Sequence, residues 1–487
     1  MISQLGLICS RVFCATCPDP FVIAILLTVL SAVLALTLGD VTATRLLERW
    51  GDGSDGIWKL LSFSMQMCFI LVTGHALAST RLVRNLIESL ASTPRTASQA
   101  AGLVGALTCL TSIINWGLGL IFGALMAREV GRAMHRKGVP VHYPLLAAAG
   151  FVGLMVWHGG LSGSAPLTST TIAAASKVLP KESLALLGNG IPLTETIFSP
   201  MNVFVTGGLV LLTPLMLMAL MPRRADQMRT IEHYTTDLHP LRRHGEPDEP
   251  TASTLQPRGG TVPEWLDNSA IVAWLLAVPL LAAFARTIWN TGRLALGATP
   301  IEPAAIDVVL SGLKSFGLNE INTVMLALGL ILHGSPRAYM AAIDDGARGC
   351  GGIIIQFPLY AGILAIMTAS GLIKDMATMF GSTGSATVVP LLSFAAACVI
   401  NFFVPSGGGQ WAVQGPIALE AGNQVGAPLG KMVMSVAYGD QVTNMLQPFW
   451  ALPLISITGV PARELIGYTA VVMLLGAAWS ALGLLLF

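Results

Sequence analysis

The charged residues of this 487-residue chain gather into clusters, and the uncharged stretches between them are long enough to cross a lipid bilayer. Between Arg95 and Arg128 no residue carries a formal charge, and from Tyr143 to Ala175 only His158 breaks the apolar pattern with an ionisable group. A span needs about 20 apolar residues. In lipid, a spanning segment of this kind must satisfy its own backbone groups, which makes it a helix. Asp, Glu, Lys and Arg make up 11% of the chain, against about 25% in soluble domains. With a mean hydropathy of +0.69, this excludes a cytosolic globular enzyme and any disordered or fibrous protein. Basic and acidic residues nearly cancel, 27 against 26, so no nucleic-acid partner is expected. The seven scattered cysteines do not form a disulfide framework. Cys14-Ala-Thr-Cys17 lacks the second pair that zinc wants, and no metal or other cofactor is expected. No phosphate-binding loop occurs, which argues against ATP-driven pumping. The fold class is an all-α polytopic membrane protein, with the bilayer as its partner and a length that allows roughly a dozen spans.

The stretch from Phe21 to Leu38 reads as a first transmembrane helix rather than a cleaved leader, because many more spans follow. Residues 222–264 are polar and read as a solvated cytoplasmic linker, with His233, His239 and His244 simply hydrated in it. On either side the chain repeats itself. His158-Gly-Gly-Leu-Ser-Gly-Ser-Ala-Pro166 lies on Asp440-Gln-Val-Thr-Asn-Met-Leu-Gln-Pro448 without a gap, at an offset of 282. Asn115 lies on Asn401 at an offset of 286, and Ser79-Thr80-Arg81-Leu82 on Ser370-Gly371-Leu372-Ile373. The expected organisation is therefore two repeats, 1–221 and 305–487, joined by the linker and by a connecting helix and loop at 265–304. Each repeat carries a re-entrant hairpin (about 96–127 and about 376–419) and a broken transmembrane helix (about 143–175 and about 431–455).

Orientation follows from arginine. Clusters flank the uncharged stretch 96–127 at both ends, and a crossing would put positive charge on both faces. A hairpin with its tip at Asn115-Trp-Gly-Leu-Gly119 keeps both ends inside; irregular backbone is tolerated at that depth where it lines a polar cavity. Val404-Pro-Ser-Gly-Gly-Gly-Gln-Trp411 opposes a continuous helix, and the second hairpin is placed on the opposite face. Two repeats of opposite orientation are the inverted-repeat arrangement of many carriers.

Four backbone interruptions then face one another in the membrane. Helix starts present amide groups and a positive dipole end, which suit a small carboxylate without a buried arginine. The candidate substrate-binding residues are Asn115, Trp116 and Gly117 at the first tip, and Ser162, Gly163 and Ser164 at the first break. From the second repeat come Asn401, Ser406, Gly407, Gly408, Gly409 and Gln410, with Thr443 and Asn444 at the second break. Asp440 is a costly intramembrane carboxylate and so a functional candidate. Its roles would be to carry a coupling proton or help coordinate sodium, against the plain alternative of a helix cap or an interfacial group. His158 holds the matching slot. Trp157, Trp411 and Trp450 suit either an apolar pocket wall or an interfacial belt.

At these motifs the chain resembles the bacterial short-chain fatty acid transporter family. The matching stretches are Trp50-Gly-Asp-Gly53, 66–78, Ile114-Asn-Trp-Gly-Leu-Gly119, Gly160-Leu-Ser-Gly-Ser164, Val404-Pro-Ser-Gly-Gly-Gly409, Ala437-Tyr-Gly-Asp-Gln441 and Gln447-Pro-Phe-Trp-Ala-Leu-Pro453. The resemblance implies secondary active uptake of small monocarboxylates such as butyrate or acetoacetate across the bacterial cytoplasmic membrane, coupled to protons or sodium. It also implies kinship to carriers with two opposed hairpins that work as elevators and are often homodimers. Asp440 and Gln410 depart from the family's usual Glu and His; the first keeps the charge, the second does not. Gly160-Leu-Ser-Gly163 also resembles the G-x-S-G of intramembrane rhomboid proteases. That leaves a serine enzyme using Ser162 as the competing reading, with a carrier of a different small carboxylate beside it.

Overall fold

The computed structural model describes residues 2–176, 178–179, 181–235, 261–296, 304–313, 318–381 and 384–487. Regular structure among them is entirely helical. Among the described residues, seven helices are long and apolar enough to cross a membrane: Pro20–Leu38, Leu61–Ser79, Ala97–Ile114, Pro200–Leu220, Ala270–Leu294, Gly351–Ala369 and Ala462–Leu486. The chain is a multi-pass membrane protein. The count falls short of a dozen because much of the remaining apolar sequence goes into shorter pieces, among them Tyr143–Met155, Val388–Ile400 and Pro448–Thr458.

The chain divides into two compact units, one of residues 65–93 and 235–351, the other of 1–64, 94–234 and 352–487. The smaller unit packs Ala76, Ala273, Ala277, Ala327, Leu330, Tyr339 and Ala342 into a core. Its helices approach through small residues, the usual device where lipid supplies no hydrophobic drive. A Cβ on Gly292 would lie 1.8 Å from the Val308 carbonyl oxygen. Its described histidines, His75 and His333, are engaged locally, at Asp345 (2.8 Å) and at the Ala76 carbonyl (2.9 Å).

The larger unit holds both hairpins. The arms of the first are Ala97–Ile114 and Trp116–Arg136. Thr96 starts the first arm by accepting from Gln99 N–H, and Gly102 and Gly105 let it lie against Met218 and Leu217 of Pro200–Leu220. Lys137 Nζ donates to the Pro94 carbonyl at 2.8 Å, so the open ends of the hairpin are tied together and Asn115 is its far tip. The second arm runs past Ala127, where the uncharged sequence ends. It continues because Glu129, only 1% exposed, pairs with Arg128 (3.0 Å) and Arg132 (2.8 Å) along the same helix.

In the second hairpin the arms are Val388–Ile400 and Gly407–Gln424, shorter than the expected 376–419 at one end and longer at the other. Leu372–Gly381 is a helix of its own. Two glutamines staple the arms: Gln410 Nε2 donates to the Ala397 carbonyl (2.9 Å) and Gln414 Nε2 to the Ser393 carbonyl (3.0 Å).

The two breaks differ in width. Tyr143–Phe151 passes through a short 3-10 turn into irregular backbone at 156–163 before Ser164–Thr168. Leu429–Thr443 is interrupted only by the 3-10 turn Asn444–Leu446 and extended Gln447 before Pro448–Thr458. Composition explains this: the first break carries Gly159, Gly160 and Gly163, whereas 441–446 contains no glycine and stays wound.

The linker begins pinned rather than solvated. Arg229 donates its N–H to His142 Nδ1 (3.1 Å), accepts from Tyr143 N–H (2.8 Å) and pairs with Glu464 (3.0 Å). Burial, with the nearby Arg229 charge, pushes His142 down to about 4. His233 bonds the Thr230 carbonyl next to it; His239 and His244 lie outside the described residues.

Candidate functional site

All four interruptions meet in the larger unit. Asn115 is extended and caps the second arm of its hairpin, its side-chain oxygen accepting from Gly117 N–H (2.9 Å) and Leu118 N–H (3.2 Å). Trp116 N–H donates to Ser162 Oγ at 3.1 Å, which joins the first tip to the first break. The donors at this tip are therefore occupied by the protein itself, a correction to the expectation that every break offers open amides. Asparagine is among the best N-cap residues, and the same residue type that favours the turn also closes it.

The second tip is different. Ser406 Oγ caps Gly409 N–H (3.2 Å) and the Ser406 carbonyl accepts from Gln410 N–H (2.7 Å). The N–H groups of Gly407 and Gly408 have no partner among the described residues. Both point from the positive end of an 18-residue helix. Ser164 lies against Gly408, within about 4 Å of where a Cβ would stand, and Trp157 and His158 lie against Gly407. No lysine or arginine belongs to this group of residues.

Between the breaks sits a buried pair. His158 Nδ1 is 2.7 Å from Asp440 Oδ2, and the two side chains are each 1% exposed. Ala165 N–H donates to His158 Nε2 at 3.0 Å. With Nε2 accepting, the ring proton belongs on Nδ1, where it donates to the carboxylate. Asp440 lies in the last turn of Leu429–Thr443, at the negative end of the helix dipole. It is not the N-cap of a helix.

The neighbouring position repeats the contact: Gly159 N–H donates to Gln441 Oε1 at 3.2 Å. Both contacts join residues 282 apart, the offset that relates the two halves of the sequence. Asn401 Nδ2 donates to the Asp440 carbonyl (2.7 Å) and to Thr443 Oγ1 (2.9 Å). Gln447 donates to the Asn401 carbonyl. Asn444 turns its side-chain oxygen to the Trp157 indole N–H (3.0 Å) and its nitrogen to Gln447 (3.1 Å). Asn401 and Gln447 thus tie the second hairpin to the second break, as Trp116 and Ser162 tie the first. Gln410 is held on the Ala397 carbonyl and Gln414 Oε1, and Gly163 N–H bonds Gly160. Trp157, Trp411 and Trp450 are all buried in protein; none lies in an exposed belt.

Ser162 Oγ is committed as acceptor to Trp116 N–H, while both ring nitrogens of His158 are engaged elsewhere. No nucleophile–base pair is formed there. Sequence reasoning missed Gln441, Gln447 and Asn202. Asn202 uses all four bonds of its amide: it donates to the Gly159 (2.8 Å) and Ile197 (2.7 Å) carbonyls and accepts from Thr206 (2.8 Å) and Tyr438 (3.0 Å). A lone amide inside apolar Pro200–Leu220 carries no periodic signal. Asn202→Ala should cost about 2–4 kcal/mol, through several buried groups left unpaired; an unchanged thermal midpoint in detergent would refute this.

A family model described as short chain fatty acid transporter matches residues 1–487. A curated protein of Escherichia coli (strain K12), provisionally named a short-chain fatty acid transporter, is 36% identical over 487 residues, covering 100% of both chains. A protein of Haemophilus influenzae with the same provisional name is 35% identical over 484 residues, 99% of each. Among solved structures, Neisseria gonorrhoeae MtrF, from a class of antimetabolite efflux pumps, is 17% identical with a TM-score of 0.40, over 96% of this chain and 95% of that chain. The Alcanivorax borkumensis YdaH transporter is 17% identical with a TM-score of 0.43, over 96% and 97%. These proteins are named as transporters or pumps, not enzymes.

Proposed function

The chain belongs to the short chain fatty acid transporter family, and on that premise we propose that it is a secondary active carrier of small monocarboxylates of the butyrate or acetoacetate type. The observation that carries the reading is the pair of open amides at Gly407 and Gly408. Two N–H groups on a positive helix end, with Ser164 and Ser406 hydroxyls beside them, match one carboxylate. The absence of a cation from the group suits a monoanion better than a dianion. Asn115, Trp116, Gly117, Ser162 and Gly163 frame this site from the first repeat. Gly409, Gln410, Asn401, Thr443 and Asn444 frame it from the second.

His158 and Asp440 are the locus of coupling, by proton or sodium. A buried carboxylate held by a neutral imidazole can gain or lose one charge without rearranging its neighbours. The 282-residue spacing of the His158–Asp440 and Gly159–Gln441 contacts supports inverted repeats. Residues related by a two-fold axis and lying on it meet their own counterparts. Elevator motion, a homodimer and the bacterial inner membrane complete the reading.

The test is uptake of radiolabelled butanoate into proteoliposomes under an imposed proton or sodium gradient. Accumulation should exceed that of protein-free vesicles and saturate. Uptake no faster than in the bare vesicles, which protonated short acids cross unaided, would end the proposal.

A further inference from the structure

Seven aromatic rings in the larger unit, Tyr360 at their margin, form one connected cluster. Trp116 meets Trp450 edge-on at 5.1 Å and Trp157 at 6.2 Å. Phe63 lies 6.3 Å from Trp116, 6.2 Å from Trp450 and 5.6 Å from Phe357. Phe449 lies 4.9 Å from Trp450 and 4.2 Å from Phe357, and Tyr360 follows it at 4.7 Å. Trp157 and Trp450 are 5% and 6% exposed, whereas Phe63 and Trp116 are only half-buried.

The cluster meets the open amides at one point. Gly407 is so close to the Trp157 ring that a Cβ there would stand 2.7 Å from it. From Trp157 the rings lead through Trp116 to Trp450. Trp157 itself is fixed, stacked on His158 at 4.3 Å and donating to Asn444. Trp450 is held differently: its indole nitrogen is buried and has no hydrogen-bond partner among the described residues. Its ring contributes shape alone.

We infer that this cluster receives the acyl tail of the substrate and limits its length, with Trp116 as the side and Trp450 as the end wall. The inference rests on the monocarboxylate reading above and adds the residues that select chain length. Each buried methylene strengthens binding about fourfold while there is room for it. Beyond the last gap, close-packed rings must move, and overpacking outweighs the gain. Short acids are then preferred not through stronger attraction but because longer ones meet Trp450.

The experiment is competition against labelled butanoate uptake by straight-chain monocarboxylates from acetate to octanoate. In the wild-type protein, competition should weaken beyond the short acids. In Trp450→Ala it should strengthen toward hexanoate and octanoate, by about tenfold or more relative to butanoate for two newly accommodated methylenes. Trp450→Phe should fall between, and Trp116→Leu should shift the series in the same direction. For any variant that folds but no longer transports, the same series is read as ligand-induced change in Tm in detergent. A folded Trp450→Ala protein with the wild-type order of acids overturns the inference. Absence of butanoate uptake by the wild type would instead count against the functional reading itself.

Discussion

Asp440→Asn is expected to abolish gradient-driven accumulation of substrate while leaving the protein folded. The amide is nearly isosteric with the carboxylate, and its oxygen can still accept from His158 Nδ1, 2.7 Å away in the wild type. The hydrogen bond survives and the charge does not. Because a buried carboxylate is costly to desolvate, the change in stability should stay within about 1 kcal/mol. Exchange of labelled for unlabelled substrate, which needs no net movement of the coupling ion, should persist. His158→Ala should behave in the opposite way. It strands the carboxylate beside an empty space, a loss of about 3–5 kcal/mol. Adding Asp440→Asn to it should recover part of that loss, a coupling a double-mutant cycle would measure. Normal accumulation by Asp440→Asn would remove the pair from the mechanism.

Gly407→Ala should be nearly as damaging, through geometry alone. The added Cβ would stand 2.7 Å from Trp157 Cη2 and 2.9 Å from His158 Cε1, distances that real contacts essentially never show. Neither ring is free to yield, since Trp157 is anchored at Asn444 and the imidazole at Ala165 and Asp440. Alanine is the better helix former by about 1 kcal/mol, which offsets part of an overpacking cost of about 1–3 kcal/mol. Net stability therefore changes little, but the start of Gly407–Gln424 must move away from the pair, and uptake should fall by more than about tenfold if that displacement approaches 1 Å. Gly207→Ala supplies the control. Nothing lies within 4 Å of its added Cβ, so it should transport normally. Equal uptake by both variants would mean that Gly407 does not face the rings during transport.

Much of this was legible where the sequence contradicts itself chemically. Pro405 and Gly407–Gly409 inside an apolar run cannot be plain helix, and the chain breaks there. Asn115 marks the other tip for the same reason. The lengths of the arms were less legible. Charge ends a membrane segment only when it is unpaired, and Glu129 pairs with Arg128 and Arg132 of its own helix. The alignment placed His158 and Asp440 in one slot, yet equivalence in a repeat does not imply contact. That they touch depends on where the local axis passes, which no linear pattern records. The second break was expected to be open, but without glycine it stays wound and Asp440 sits in helix. Asn202 was invisible because a single amide in an apolar helix looks like noise until its four bonds are drawn, and Gln441 and Gln447 stood in matched stretches that give no sign of the contacts they make.

One bond carries a mechanical consequence. Ala165 N–H occupies the second nitrogen of His158, and the short helix Ser164–Thr168 begins beside that peptide. The imidazole is thus a strut between Asp440 and the wall that carries Ser164. Turning the ring and shifting that wall are a single event: the histidine cannot swing without dragging the backbone beside Gly408.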